Sequence, residues 1–453
     1  MLLKNIKLRD YQENILDDLS CLPSIGLFMK TGSGKTITSI ARTIRNKTPK
    51  LLVICPQKVV TQWIDEIKEH SDFEPIEYSM SWSSKKKNDK IVSELDVKNC
   101  VVVNYDIICK MEWLNKINND WTIILDESHK IKNMGTQKHP VKVTKQVLEL
   151  GEKTIYKIIL TATPTEKAHG GYIDLYTQLR FLGYMDMSYK TYMNRYCIVK
   201  ELQTPGMPFP VKTITGYRMD MIEQDIKPII KLCCRFYSPK YGDYEPQMIK
   251  VPIEKCKNYN KTIENRSYGE ISFDNVSAFR IGKKTLISGA ITGTNEYGDR
   301  CIYKDNTNKA DWLEEFLSNT DDKVAILYNY NVELDVIKEL CDKIKKKYIV
   351  INGSIKDKHN ELKKDFDVVI GQYEAFGESL DGLQYKCHLM IFYSMPDSSR
   401  AYKQSLGRID RIGQTEVPTY YHLVMKGTID EQIYKLVQDK VEFSEKELNE
   451  LAI

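Results

Sequence analysis

The 453-residue chain carries almost no imbalance of charge: 66 Lys+Arg face 62 Asp+Glu, a formal +4. So weak a bias neither marks nor excludes a nucleic-acid partner, because a basic groove can sit inside a balanced total. Its eleven cysteines are scattered singly apart from the adjacent pair Cys233–Cys234, and no CxxC occurs. That argues against a zinc ribbon, and a disulfide framework is foreign to a chain of this size, so the thiols suit a reducing cytosol. No apolar run approaches the roughly 18 residues of a membrane-spanning helix. The opening MLLKNIKLRDYQ lacks the apolar core of a signal peptide. Low-complexity tracts and repeats of about 20–50 residues are missing too. With 42% hydrophobic and 28% charged residues the composition is globular, which leaves disorder and membrane classes behind. The expectation is a soluble, cytoplasmic protein of two or three domains, since domains average about 150 residues.

What is present is a recurring pattern of short apolar runs. Ser24–Met29, Leu51–Cys55, Cys100–Val103, Thr122–Leu125 and Lys157–Leu160 are nearly uninterrupted. Strands buried on both faces read this way, and spacing that leaves room for helices implies a parallel sheet of βαβ units. The pattern stops near residue 182 and resumes with Val324–Leu327, Tyr348–Ile351, Val368–Ile370, Leu389–Phe392 and Tyr420–Val424. Two α/β units of similar plan are therefore expected. Between Met185 and Arg300 the texture changes to 18 Lys+Arg, 13 Asp+Glu and ten tyrosines. TPGMPFP at 204–210 breaks any helix there, and helical protrusions joined by loops are the expectation. Tyr172, Leu175, Leu179 and Leu182 recur at helical spacing and are expected in the core. The run SSKKKNDK (Ser83–Lys90) reads as a solvated loop in preference to a DNA contact.

The chemistry is concentrated in two places in the first half. MKTGSGKT (Met29–Thr36) follows an apolar strand and opens a helical stretch. In that context Thr31, Gly32, Ser33 and Gly34 are expected to form a phosphate-cradling loop, with Lys35 reaching the β/γ-phosphates of a nucleotide and Thr36 holding Mg²⁺. Further on, TIILDESHK places Asp126 and Glu127 just past a buried strand. Carboxylates at the C-terminal end of a strand lie where α/β sheets bind ligands. One of the pair can hold Mg²⁺ and the other can polarise an attacking water.

Taken in order, LRDYQ (Leu8–Gln12), the phosphate loop, CPQKVVTQWIDEI (Cys55–Ile67), DESH (Asp126–His129), LTATP (Leu160–Pro164) and YKQSLGRIDRIGQ (Tyr402–Gln414) resemble the motifs of superfamily-two helicases. The Ile-Gly-Gln ending, Pro56, Trp63 and the IKN after DESH are similar to the Swi/Snf-type, DEAH-box-like branch, in a compact phage, viral or bacterial form. The resemblance implies two RecA-like lobes, 1–235 and 236–453, each with a helical protrusion (about 181–235 and 236–310) and a second core of about 311–453. It implies that Asp126 serves Mg²⁺ with Thr36, and that Glu127 activates water. Gln12, with Arg9 and Tyr11 beside it, would read the adenine edge. Gln404 would join the nucleotide site, Thr161 and Thr163 would couple nucleotide to DNA, and Arg408 and Arg411 would reach the γ-phosphate from lobe two when the lobes close. Guanidinium forks suit that role because they match phosphoryl oxygens and stay charged.

Some positions depart from the family pattern. Met29 stands where the phosphate loop has Gly, Ser128 and Ala162 where Ala and Gly are commoner, Asp381 for Asn in GESLDGLQ (Gly377–Gln384), and Asp410 where His often precedes the last Arg. The implied function is an ATP-dependent motor on double-stranded or branched DNA in replication, recombination or repair. It is expected to be a monomer, to meet partner proteins of those pathways and to carry no appended module. Two alternatives stay open: a strand-separating DNA or RNA helicase, and a nucleic-acid-binding module on an inactive motor scaffold.

Overall fold

The computed structural model describes residues 3–452 except 136–140, 166–170, 203–210, 239–241, 306, 356–357, 378–379 and 381. The TPGMPFP run, and Glu378, Ser379 and Asp381 of GESLDGLQ, therefore lie outside the described residues. The chain divides into two units, Met1–Pro239 with Glu442–Ile453, and Lys240–Val441.

In the first unit the five expected strands are β1 (Ser24–Met29), β2 (Lys50–Cys55), β3 (Cys100–Asn104), β4 (Trp121–Asp126) and β5 (Lys157–Thr161). A hairpin of β6 (Cys197–Leu202) and β7 (Val211–Tyr217) forms a separate two-stranded sheet, and β8 (Cys234–Tyr237) completes the main one. The order is β3-β2-β4-β5-β1-β8, every neighbouring pair parallel. Alternation along β2 shows why such strands read as unbroken apolar runs: Leu51, Val53 and Cys55 join one buried cluster and Leu52 and Ile54 the other. The helix Tyr172–Leu182 buries Tyr172, Leu175, Leu179 and Leu182 as expected.

The second unit repeats the plan. After β9 (Gln247–Ile253) come two small hairpins, β10 (Ser267–Tyr268) with β11 (Ile271–Ser272) and β12 (Ala290–Thr294) with β13 (Arg300–Lys304). Its core strands are β14 (Val324–Tyr328), β15 (Tyr348–Ile351), β16 (Val368–Gln372), β17 (Leu389–Phe392) and β18 (Thr419–Met425). The parallel order is β15-β16-β14-β17-β18-β9.

Three details differ from expectation. The intervening region holds helices (Tyr189–Tyr196, Lys227–Cys233, Tyr259–Asn265, Val276–Leu286) but also the three hairpins. A division at Arg235–Phe236 falls inside β8, and β9 belongs to the second sheet although it lies in the stretch expected as a protrusion. Both are edge strands exposed along one side, so neither shows an uninterrupted apolar run, and Pro252 in β9 is admissible at an edge. Finally, SSKKKNDK forms the start of a helix, Ser84–Glu94, because Ser83 caps it by accepting from the Lys86 amide at 3.3 Å. The Lys87 ammonium turns inward to donate to Met80 O at 3.0 Å, while that of Lys86 stands over the Trp82 ring at 4.1 Å. Among the described residues no helix is long and apolar enough to cross a membrane.

Candidate nucleotide site

The site of the first unit is assembled at the C-terminal ends of β1, β5 and β4, which lie side by side in the sheet. From β1 the chain enters the phosphate loop, where Gly32 (φ 84°) and Gly34 (φ 75°) adopt left-handed backbone that other residues resist. A Cβ on Gly34 would meet Gln12 Nε2 at 2.6 Å, which the end of that side chain would have to yield, so it is the left-handed backbone that calls for glycine there. Gly34 caps the helix Lys35–Asn46, whose first-turn amides have no intrahelical partner and whose positive dipole end favours an anion. Lys35 Nζ donates to Met29 O at 2.9 Å and Lys30 O at 3.2 Å, folded into the mouth of the loop. Ser33 is buried, its hydroxyl donating to Lys30 O at 2.7 Å. Thr31 and Thr36 are half-buried on either side of it, and Thr36 stands in the helix's first turn.

At the end of β4, Asp126 accepts from Trp63 Nε1 at 2.9 Å and from the Glu127 amide at 3.0 Å. Tyr105 donates its hydroxyl to the Asp126 carbonyl at 2.9 Å. Glu127 follows in left-handed backbone (φ 52°), rare for a residue with a side chain, which turns its carboxylate out of the strand direction. His129 Nδ1 lies 3.2 Å from Glu127 Oε2 and 3.2 Å from Thr161 Oγ1. Thr161, at the end of β5, donates to Glu127 Oε2 at 3.2 Å and accepts from the Thr163 amide at 3.0 Å. Ser128 donates to Gln178 Oε1 at 2.7 Å, and Gln178 in turn donates to Pro164 O at 2.9 Å. The carboxylate segment and the LTATP segment are therefore tied together twice.

The two carboxylates are driven apart electrostatically. Burial and then the neighbouring charge of Glu127 push Asp126 up, against the Trp63 hydrogen bond and the Lys35 ammonium. Burial pushes Glu127 up as well, but the hydrogen bond and charge of His129, with Lys35 and Thr161, outweigh it and hold the carboxyl below its usual range. That leaves one carboxylate firmly ionised beside a lysine.

These residues suit a nucleoside triphosphate with a divalent cation. Two lone-pair sites on Asp126 are occupied and others remain, and Mg²⁺ prefers one or two carboxylates completed by phosphates and water. Thr36 and Asp126 are the residues that would hold it.

Gln12, which the resemblance assigns to the adenine edge, is engaged with the loop. It is buried, its Oε1 accepts the Arg9 amide at 2.9 Å, and its Nε2 donates to Thr38 Oγ1 at 3.0 Å and Gly34 O at 3.3 Å. The amide braces the phosphate loop, and meeting an adenine edge would require exchanging those bonds. Tyr11 donates to Ser33 O at 2.7 Å.

In the second unit, Gln404 stands on the helix Ser399–Leu406, within 3.4 Å of where a Cβ on Gly377 would lie. Arg408 is buried, Nη1 donating to Leu380 O at 2.9 Å and Nη2 to Gly377 O at 2.5 Å. Arg411 is half-buried. Gln414, the last residue of the Ile-Gly-Gln ending, donates to Cys387 O at 2.9 Å and accepts the amides of Thr415 and Glu416. Sequence reasoning missed the roles of Trp63, Tyr105, His129 and Gln178. Trp63 and His129 lay inside quoted motifs, whereas nothing marked Tyr105 or Gln178.

Residues 22–201 match the SNF2-related domain and residues 308–413 the helicase conserved C-terminal domain. The ATP-dependent helicase YqhH of Bacillus subtilis is 24% identical over 93% of this chain and 76% of its own length. The RNA polymerase-associated protein RapA of Pasteurella multocida is 21% identical, covering 86% of this chain and 45% of RapA. The mouse DNA annealing helicase and endonuclease ZRANB3 is 24% identical, covering 92% of this chain and 38% of ZRANB3. This chain thus spans less than half the length of the last two. The solved Sulfolobus solfataricus SWI2/SNF2 ATPase core in complex with dsDNA aligns with TM-score 0.44 and 19% identity over 100% of this chain and 95% of that one, too loose a likeness to transfer residue roles. Each matched domain falls within the unit that carries its motifs, and the chain belongs to the Swi/Snf-type branch of the superfamily-two helicase-like, nucleic-acid-dependent ATPases.

Proposed function

We propose that the chain is an ATP-driven motor that moves along double-stranded or branched DNA in replication, recombination or repair, acting as a monomer. The observation that supports it most is the convergence of Lys35, Asp126, Glu127 and Thr161 at three adjacent strand ends, with the phosphate loop opening beside them. In this reading the loop amides and Lys35 bind the phosphates, and Mg²⁺, held by Thr36 and Asp126, would supply charge neutralisation at the transferring phosphoryl group. Glu127, kept ionised by His129 and Lys35, accepts a proton from the attacking water. Thr161 contacts that same carboxylate and, through Thr163, the LTATP backbone, so it is suited to couple nucleotide state to the DNA track. Arg411 supplies positive charge during turnover, and Arg408 holds the backbone carbonyls of Gly377 and Leu380.

The test is ATPase rate with duplex, single-stranded or branched DNA, or RNA. Duplex or branched DNA should stimulate most, independently of base sequence, and stimulation should fall steeply with salt as counterion release requires. Glu127→Gln should keep ATP affinity and lose about 10²–10⁴ in turnover. Turnover unchanged by every nucleic acid, or a fully active Glu127→Gln protein, would reject the reading.

A further inference from the structure

An aromatic pair sits on the strand-to-loop junction of the first unit. Tyr11 and Tyr237 stack with ring centroids 4.2 Å apart and planes inclined by 14°. Tyr237 is the last residue of β8, where it pairs with Met29, and its carbonyl accepts the amide of Lys30 at 2.8 Å. Tyr11 reaches the other side of the loop through its hydroxyl on Ser33 O. The stack is thus fixed at two points to the loop. Both rings are only half-buried. Burial lifts both phenols, and the nearby Arg9 guanidinium opposes that lift. A flat π surface with an adjacent cation lies beside a phosphate cradle, whereas the one amide expected to read a base edge, Gln12, is engaged with the loop itself.

We propose that Tyr237 is a base-stacking residue of the nucleotide site, forming with Tyr11 an aromatic wall on whose outer face the purine of a nucleoside triphosphate packs. The inference deepens the ATPase reading and rests on the phosphate loop binding a triphosphate. Every base has a π face, so such a wall adds affinity without choosing between purines. It also explains why the two tyrosines, 22 and 207 residues from Ser33 and Lys30 by the separations Ser33 − Tyr11 and Tyr237 − Lys30, are both tied to the loop.

The experiment measures binding of ATP, GTP and inorganic tripolyphosphate to the full chain and to its Tyr237→Ala and Tyr237→Phe variants. Tyr237→Ala should weaken ATP and GTP together, about tenfold, and leave tripolyphosphate unchanged. Tyr237→Phe, which keeps the ring, should bind ATP like the parent. Equal loss for ATP and tripolyphosphate would make Tyr237 a brace of the loop and overturn the proposal, as would unaltered ATP affinity in Tyr237→Ala. Should the parent bind ATP yet never hydrolyse it, the ATPase reading fails while the stacking result still decides this one.

Discussion

In the first unit the candidate site residues stand at the ends of neighbouring strands and contact one another; in the second, the arginine-bearing segment follows a helix and is held by backbone carbonyls. Asp126 and Thr161 end β4 and β5, and Glu127 follows directly. Their positions are inherited from the sheet register, in which Asp126 pairs with Leu160. Arg408 instead owes its placement to the Gly377 and Leu380 carbonyls, and Gln414 to those of Cys387 and Ile409. The contrast teaches how each site can fail. A strand-end site loses chemistry when one group is changed and keeps its shape, because the sheet holds the rest. A carbonyl-held segment loses its shape when the holding side chain is removed, since buried carbonyls are then left unsatisfied.

The largest effect expected from this contrast is at Arg411. Arg411→Ala should keep ATP affinity and lose about 10³–10⁵ in DNA-stimulated turnover, and Arg411→Lys should recover little because it lacks the planar fork. Turnover against DNA concentration measures it; full stimulated turnover in the alanine variant would erase the distinction between the two arginines. Next in size is the buried pair Lys309–Asp430, 2.6 Å apart with side chains 1% and 3% exposed. Lys309→Met strands a buried carboxylate and should destabilise the second unit by about 3–5 kcal/mol, and adding Asp430→Asn should return part of that. Hydrogen exchange of the β14 and β17 amides in the full chain reads it, and unchanged protection would show that the pair contributes nothing net. The smallest is Gln12→Ala, expected to weaken ATP and tripolyphosphate alike by about tenfold, the loss of one or two hydrogen bonds. Loss confined to ATP would return Gln12 to reading the base.

Legibility followed the range of the interaction. The ten core strands were visible because parallel strands bury both faces, as the split of β2 between two clusters shows. The Ser84–Glu94 helix was misread because three consecutive lysines suggest solvent, whereas Lys87 turns its ammonium inward to Met80. The edge strands β8 and β9 were missed because their exposed sides carry Arg235, Gln247 and Lys250.

By itself the sequence determined the apolar strand runs of two α/β units, the glycine-rich loop before Lys35 and the place of Asp126 and Glu127 just past a buried strand, since each is written in neighbours a few residues away. Tertiary structure alone decided that Trp63 anchors Asp126 and that His129 and Thr161 hold Glu127. It alone turned Gln12 onto the loop, brought Tyr237 onto Tyr11 and buried Arg408 among carbonyls. The physical reason is that a side chain's partner across dozens or hundreds of residues is set by which strands the sheet places side by side, and local periodicity carries no record of that choice.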